Sequence, residues 1–398
     1  MKPPCALALV AALAAGPALA AKPPRPPRAL TPPLPASDCA ECLGGTPRLA
    51  GSTGADLLAA WDAHNANGGD FRVYRRVVDA NGNASVETQV SPERAAGVTA
   101  VAGDGSGWIL GFFNPGEVFV QRLDEAGTAV GTPLLVNEPS EGDAHGSALA
   151  IGGGRVVATF DRRRPDGATD MVAQMLDGGL NRVGGRVALG PAHYRAASRV
   201  CLRPDGAAVV AWNALPGPTF PGPGLPVPWA IRVRVQGADG SLLGDLVELV
   251  RADLTENPDA AVVCMTDGSF AIAWQTTQRP QAKAGWDPVW QWFDASGQPR
   301  GPATNLNKVV KGDQRNPELL VLSDGSLLAV WESAERRATT LRARRFTARG
   351  TPRGGEIVLH RAGVGVRLFP QLTLLPGTGR FALAWQERGE GWIRIFTE

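Results

Sequence analysis

Apolar positions along this chain come in short bursts that end on an aromatic ring. They are Leu57-Leu58-Ala59-Ala60-Trp61, Ile109-Leu110-Gly111-Phe112, Val156-Val157-Ala158-Thr159-Phe160 and Ala208-Val209-Val210-Ala211-Trp212. Phe270-Ala271-Ile272-Ala273-Trp274, Leu327-Leu328-Ala329-Val330-Trp331 and Phe381-Ala382-Leu383-Ala384-Trp385 complete the set. The rings are spaced by 51, 48, 52, 62, 57 and 54 residues. Runs this short, bounded by turn residues, suit buried strands, and nothing between them carries a helical period. Self-similarity at this spacing marks a repeat whose units bury their faces against one another.

Each unit has the same internal order. A short apolar strand, such as Leu319-Leu320-Val321-Leu322, precedes a tight turn, often Asp205-Gly206, Asp267-Gly268 or Asp324-Gly325. Asp-Gly is a hairpin signal because the turn needs a positive φ. The aromatic-ended strand follows, then a third strand running into a second turn, as in Gln291-Trp292-Phe293-Asp294-Ala295-Ser296-Gly297. A fourth strand such as Gly355-Glu356-Ile357-Val358-Leu359 closes the unit. Four antiparallel strands cannot bury both faces alone, whereas radial stacking buries them and leaves short edges. The fold expected is all-β, a seven-bladed β-propeller of four-stranded antiparallel blades over residues 45–398, with the rings filling the gaps between blades. The seventh copy stops at Ile393-Arg394-Ile395-Phe396-Thr397-Glu398, the end of a third strand. A segment within residues 26–48 is expected to supply the fourth and clasp the ring.

Two finer marks support the register. Arg or Gln stands at one position of strand three in every copy: Arg76, Gln121, Gln174, Arg234, Gln291, Arg344 and Arg394. A planar donor repeated in this way suggests one hydrogen bond made between neighbouring sheets. Glycine pairs recur around strand four, namely Gly127/Gly131, Gly240/Gly244, Gly297/Gly301 and Gly350/Gly354. Together the Asp-Gly-x-apolar-x-x-x-Trp and Gln-Arg-apolar-Asp-x-x-Gly-x-x-x-Gly patterns resemble a bacterial secreted propeller repeat found in tandem in large surface proteins. The resemblance covers about 350 residues, from the first copy to the last. It implies architecture and export, and it brings no catalytic residues.

Composition narrows the classes. The 398 residues include 49 Gly and 33 Pro, as a turn-rich fold requires, and only 4 His and 5 Cys. A formal charge of +2 gives no field for nucleic acid. No cofactor and no metal site is expected: no second Cys-x-x-Cys, HExxH or P-loop occurs. Lys2, the apolar run Cys5–Ala15 and Ala18-Leu19-Ala20 read as a signal peptide over residues 1–20. Residues 21–44 read as a Pro-rich leader. No later run is long enough to span a membrane. An exported monomer, periplasmic or extracellular, is expected. Cys39 and Cys42 then suit a small disulfide loop. Cys201 and Cys264 fall at equivalent first-strand positions of adjacent blades. A bridge is conceivable there, but a full blade spacing exceeds the ~7 Å Cα limit, which favours two free thiols.

Function is expected on the face that carries the strand 2–3 loops and the blade-to-blade links. Copies four and five enlarge those loops, bringing Phe220 and Trp229 beside Trp286 and Trp290 as an aromatic lip. Rigid aromatics on preordered loops bind at low entropy cost. Arg195, Arg315 and Arg367 in the linking segments are further ligand candidates. Polar residues after each ring (Asp62, Asn114, Asp161, Asn213, Gln275, Glu332 and Gln386) form a rim. The leading expectation is an interaction module contacting a protein or glycan through blades 4 and 5. The alternative is a glycan-directed hydrolase or lyase using a carboxylate pair such as Asp161 with Glu332, beside the arginines.

Overall fold

The computed structural model describes residues 26–398 except 38–46, 55, 64–71, 92–96, 104, 115, 139–143, 194–195, 216–226, 255–256, 278–284, 364–365 and 367. All the regular structure described is β, in seven four-stranded antiparallel sheets. Six sheets run in sequence order from an inner to an outer strand, the seventh takes its outer strand from the start of the described chain, and the sheets form a seven-bladed propeller. The inner strands are Arg48–Gly51, Gly97–Gly103, Ala144–Gly152, Ser198–Leu202, Ala261–Cys264, Gln314–Val321 and Gln371–Leu375, defining blades 1 to 7.

Packing explains the repeat. Trp61, Phe112, Phe160, Trp212, Trp331 and Trp385 are fully buried, and Trp274 nearly so. The rings sit in clusters that join consecutive sheets, as where Trp212 lies among Met171, Ala173 and Leu189 of blade 3. Alanine at the preceding position, as at Ala60, Ala211, Ala273 and Ala384, keeps the strand thin beside the ring.

Blade 7 is completed from the other end of the chain. Leu34–Pro35 pairs antiparallel with Glu390–Thr397, matching Leu34 to Ile393 and Pro35 to Trp392. Leu30 N–H donates to the Ile395 carbonyl at 2.8 Å, and Ala36 N–H donates to that of Gly391 at 2.8 Å. The expected clasp is present.

The strand-three Arg/Gln position does the expected job only in part: the glutamines act within their own blade, and some of the arginines reach the neighbouring one. It falls where the ladder between strands three and four slips, as between Val120 and Arg122, Ala173 and Met175, Val233 and Val235, and Ala343 and Arg345. Opposite it lies the second glycine of each pair at positive φ (Gly131 at 69°, Gly244 at 67°, Gly354 at 89°), a bulge L side chains resist. The bulge leaves carbonyls off the ladder, and the long amide reaches them. Gln121 Nε2 donates to the Val130 carbonyl at 2.9 Å, and Gln291 Nε2 to that of Gly301 at 3.0 Å. These bonds stay within one blade. Some of the arginines reach across: Arg344 donates to the Leu306 carbonyl of blade 5 at 3.3 Å.

Cys201 and Cys264 form a disulfide, with a Cα separation of 5.6 Å. The expectation of free thiols is corrected. Inner strands converge toward the axis, so neighbouring blades are closest where these cysteines sit. Cys39 and Cys42, the residues 1–20 read as a signal peptide, and the start of the leader lie outside the described residues.

Candidate functional site: an axial pocket

The register places seven residues at one level around the axis. The inner-strand residues paired with the position just before each ring are Arg48 (with Ala60), Ala100 (Gly111), Ala148 (Thr159), Arg199 (Ala211), Ala261 (Ala273), Glu318 (Val330) and Gln371 (Ala384). Blades 2, 3 and 5 thus offer a methyl group, while blades 1, 4, 6 and 7 offer long polar side chains. The result is a pocket of about 360 Å³ lined by Arg48, Asp62, Arg199, Asp259, Glu318 and Gln371, with Phe369 and Gln386. It opens where inner strands begin and second strands end, so it lies on the face expected to carry function.

The charges converge. Arg199 Nη2 donates to Glu318 Oε1 at 3.4 Å, from blade 4 to blade 6. Gln371 Nε2 donates to the same oxygen at 2.8 Å. Burial pushes the Glu318 carboxyl above its ordinary range, against the pull of Arg199 and Arg48. Burial and the neighbouring Arg199 bring Arg48 down to about 10, against the opposite pull of Glu318 and Asp62. Two cations therefore share one desolvated carboxylate, with Asp62 and Asp259 also on the wall.

The wall is strained at three equivalent points. Asp259, Asn316 and Phe369 have φ of 40°, 49° and 42° and stand two residues before the level residue of blades 5, 6 and 7. Left-handed backbone is uncommon for such residues, above all for phenylalanine. Side chains from the preceding blade hold two of them. Gln275 Oε1 accepts from Asn316 N–H at 2.8 Å, and Glu332 Oε1 accepts from Phe369 N–H at 2.8 Å. So in blades 5 and 6 the polar residue after the ring is a latch on the next blade.

The sequence-picked residues divide accordingly. Trp229, Trp286 and Trp290 are 3%, 4% and 2% exposed, so the aromatic lip is not a free surface. Trp229 and Trp286 do meet, but in a buried cluster with Leu215, Val227 and Leu254. Trp229 belongs to a lengthened third strand, Val227–Gln236, rather than to a loop. Trp290 packs on Phe346 of blade 6 and donates to Thr304 Oγ1 at 3.0 Å. Arg315 is engaged by Asp313 at 2.8 Å and stacks over the Trp286 ring at 4.9 Å. Asp161 is buried beside His145 at 3.6 Å, and Glu332 is buried under Asn316 and Phe369. Neither carboxylate lines the axial pocket. Phe220, Arg195 and Arg367 lie outside the described residues. Arg48, Arg199, Glu318 and Phe369 were missed. Aligning first strands on the ring would have exposed the Arg/Arg/Glu/Gln pattern among alanines.

No protein-family model matches the chain, and no curated protein matches it. Solved structures do. A protein of unknown function from Dyadobacter fermentans superposes with a TM-score of 0.53 at 14% identity, over 93% of this chain and 99% of that one. An ulvan lyase from a new polysaccharide lyase family gives 0.54 at 10% identity, over 90% and 94%. A Hadza microbial sialidase gives 0.51 at 10% identity, over 88% and 65%. At such identities these likenesses show a shared fold.

Proposed function

We propose that this protein is an exported binding module that captures a polar ligand in the axial pocket. The convergence of Arg48, Arg199, Glu318 and Gln371 from four blades on one cavity carries this reading. Cavities of this size with a few convergent polar groups and displaced proton affinities are the usual form of a ligand site. The contact region moves from the expected lip to the axis of the same face, and blades 4 and 5 still contribute Arg199 and Asp259. The disulfide on the pocket's inner strands supports an oxidising compartment.

The test is retention on a panel of immobilised polysaccharides, comparing the chain with Arg199→Ala. Loss of retention at an unchanged melting temperature is expected. Equal retention by the variant rules out the axial site.

A glycan-directed hydrolase or lyase is favoured by one observation: Glu318 holds its proton more strongly than an ordinary carboxylate, as a general acid must, with Asp62 and Asp259 on the same wall. Chain shortening of a retained polysaccharide, abolished in Glu318→Gln, would separate this from binding alone.

A further inference from the structure

The pocket contains more than a pair of cations, and its mixture of groups selects a ligand class. A simple anion would be drawn to Arg48 and Arg199, yet it would then face Asp62 and Asp259 with no proton to give them. A neutral sugar could add hydroxyl donors to those carboxylates, of which Asp259 already accepts from Gln275 Nε2 at 3.2 Å, but it would leave the guanidiniums to Glu318. A ligand with one carboxylate and several hydroxyls answers both sets. The Phe369 ring, 42% exposed, stands at the same pocket. Its backbone is held at a φ of 42° with its N–H pinned to Glu332. An apolar ring face beside polar groups is how aromatics meet the C–H face of a sugar.

Resting on the reading of the axial pocket as a ligand site, we propose that it takes a uronic-acid sugar residue. The ligand carboxylate displaces that of Glu318 from Arg199 and Arg48, and Glu318 takes up a proton from solvent as it is displaced. The balance is simple: one carboxylate enters the guanidinium pair, one leaves it, and one proton neutralises the carboxylate that leaves. The groups facing Glu318 set the direction. Burial favours its neutral form, Arg199 from blade 4 and Arg48 from blade 1 pull toward the charged form, Gln371 of blade 7 donates to it, and Asp62 and Asp259 line the same pocket. Once the ligand carboxylate takes its place against the arginines, an ionised Glu318 keeps the Gln371 hydrogen bond but loses its ion pair with Arg199, and burial then favours the protonated form. Affinity therefore rises as pH falls from neutral. The rise stops where Glu318 is already protonated in the free protein, and it reverses where the ligand's own carboxylate protonates.

The experiment is titration calorimetry on the full chain with glucuronate and galacturonate and their short oligomers, with glucose and galactose as neutral controls. Runs in two buffers of different ionisation enthalpy at near-neutral pH report the proton count. Expected are net proton uptake, affinity for the acidic sugars about tenfold or more above the neutral ones, and loss of binding in Arg199→Met. Glu318→Gln should abolish the uptake and flatten the pH dependence while keeping selectivity for the acid. Equal affinity for neutral sugars, or acid binding without proton uptake, overturns the inference but leaves the pocket as a ligand site. Failure of every sugar in the panel overturns it too, and the wider reading then stands or falls on polysaccharide retention by Arg199→Ala.

Discussion

Phe369 shows how a single residue can be kept in a conformation its own chemistry opposes. Its left-handed backbone costs roughly 1–3 kcal/mol, offset by the Glu332 bond and the packing of blades 6 and 7. Glycine would adopt the same φ without strain. Phe369→Gly is therefore expected to leave the melting temperature unchanged or slightly raised while weakening ligand retention at the axial pocket. Thermal scans and retention measured side by side check this. A large fall in melting temperature would mean that the ring itself supports the wall. At this scale the sequence was only half legible. The ring-ending strands announced themselves because burial demands apolar residues at fixed intervals. The polar residue after each ring looked like a rim group, and only the three-dimensional offset between blades makes Gln275 and Glu332 into latches. Trp229 and Trp286 misled for a related reason: proline-rich insertions read as loops, whereas Val227-Pro228-Trp229 extends a strand and folds its ring inward.

Two elements tie the ring together by different means. The disulfide joins the inner strands of blades 4 and 5, 63 residues apart in sequence. Crosslinks of this kind typically add about 2–4 kcal/mol. Arg199 stands two residues before one cysteine and Asp259 five before the other, so the bridge also holds the spacing of two pocket walls. Cys201→Ser with Cys264→Ser should lower the melting temperature and weaken retention together, and the paired scans read both. The clasp acts through backbone hydrogen bonds and the seating of Ala29 and Ala36 against blade 7. Removing residues 21–37 should lower the melting temperature sharply and leave Glu390–Thr397 as an open edge. An unchanged melting curve would show that the six other blades hold the seventh without it. The clasp was readable from simple counting, because the last copy was one strand short. The disulfide was not, since sequence spacing measures the path around a blade and not the convergence of inner strands.

At the scale of the whole molecule, proton-linked stability has two opposing sources. Asp177, Asp239 and Asp294, at exposed turns, are held below their ordinary range by hydrogen bonds from Asn181, Ser241 and Ser296. Such groups stabilise the fold above the ordinary carboxylate range, and the contribution is lost as pH falls through their depressed values. Glu318 runs the other way. Its folded form keeps the proton better than the unfolded chain does, so its contribution is complete below the ordinary value and is lost as pH rises through the raised one. Melting temperature should therefore climb out of the acid range and then carry a falling contribution that Glu318→Gln removes. Scans across that range on both proteins check it: the difference between them should narrow or reverse as pH rises, and a constant difference would mean that Glu318 does not carry this linkage.

The clasp also sets an order of events during synthesis. Leu34 is made long before its partner Ile393, so the circle can shut only after the third strand of the seventh blade has been synthesised. Until then six whole blades and an unfinished seventh must wait with a bare hydrogen-bonding edge beside a nascent chain. An edge of that kind recruits any extended peptide within reach, including a second unfinished copy. Anything that delays the arrival of the final strand, such as a stall in its translation, lengthens the interval in which two molecules can trade partners instead of each completing its own circle.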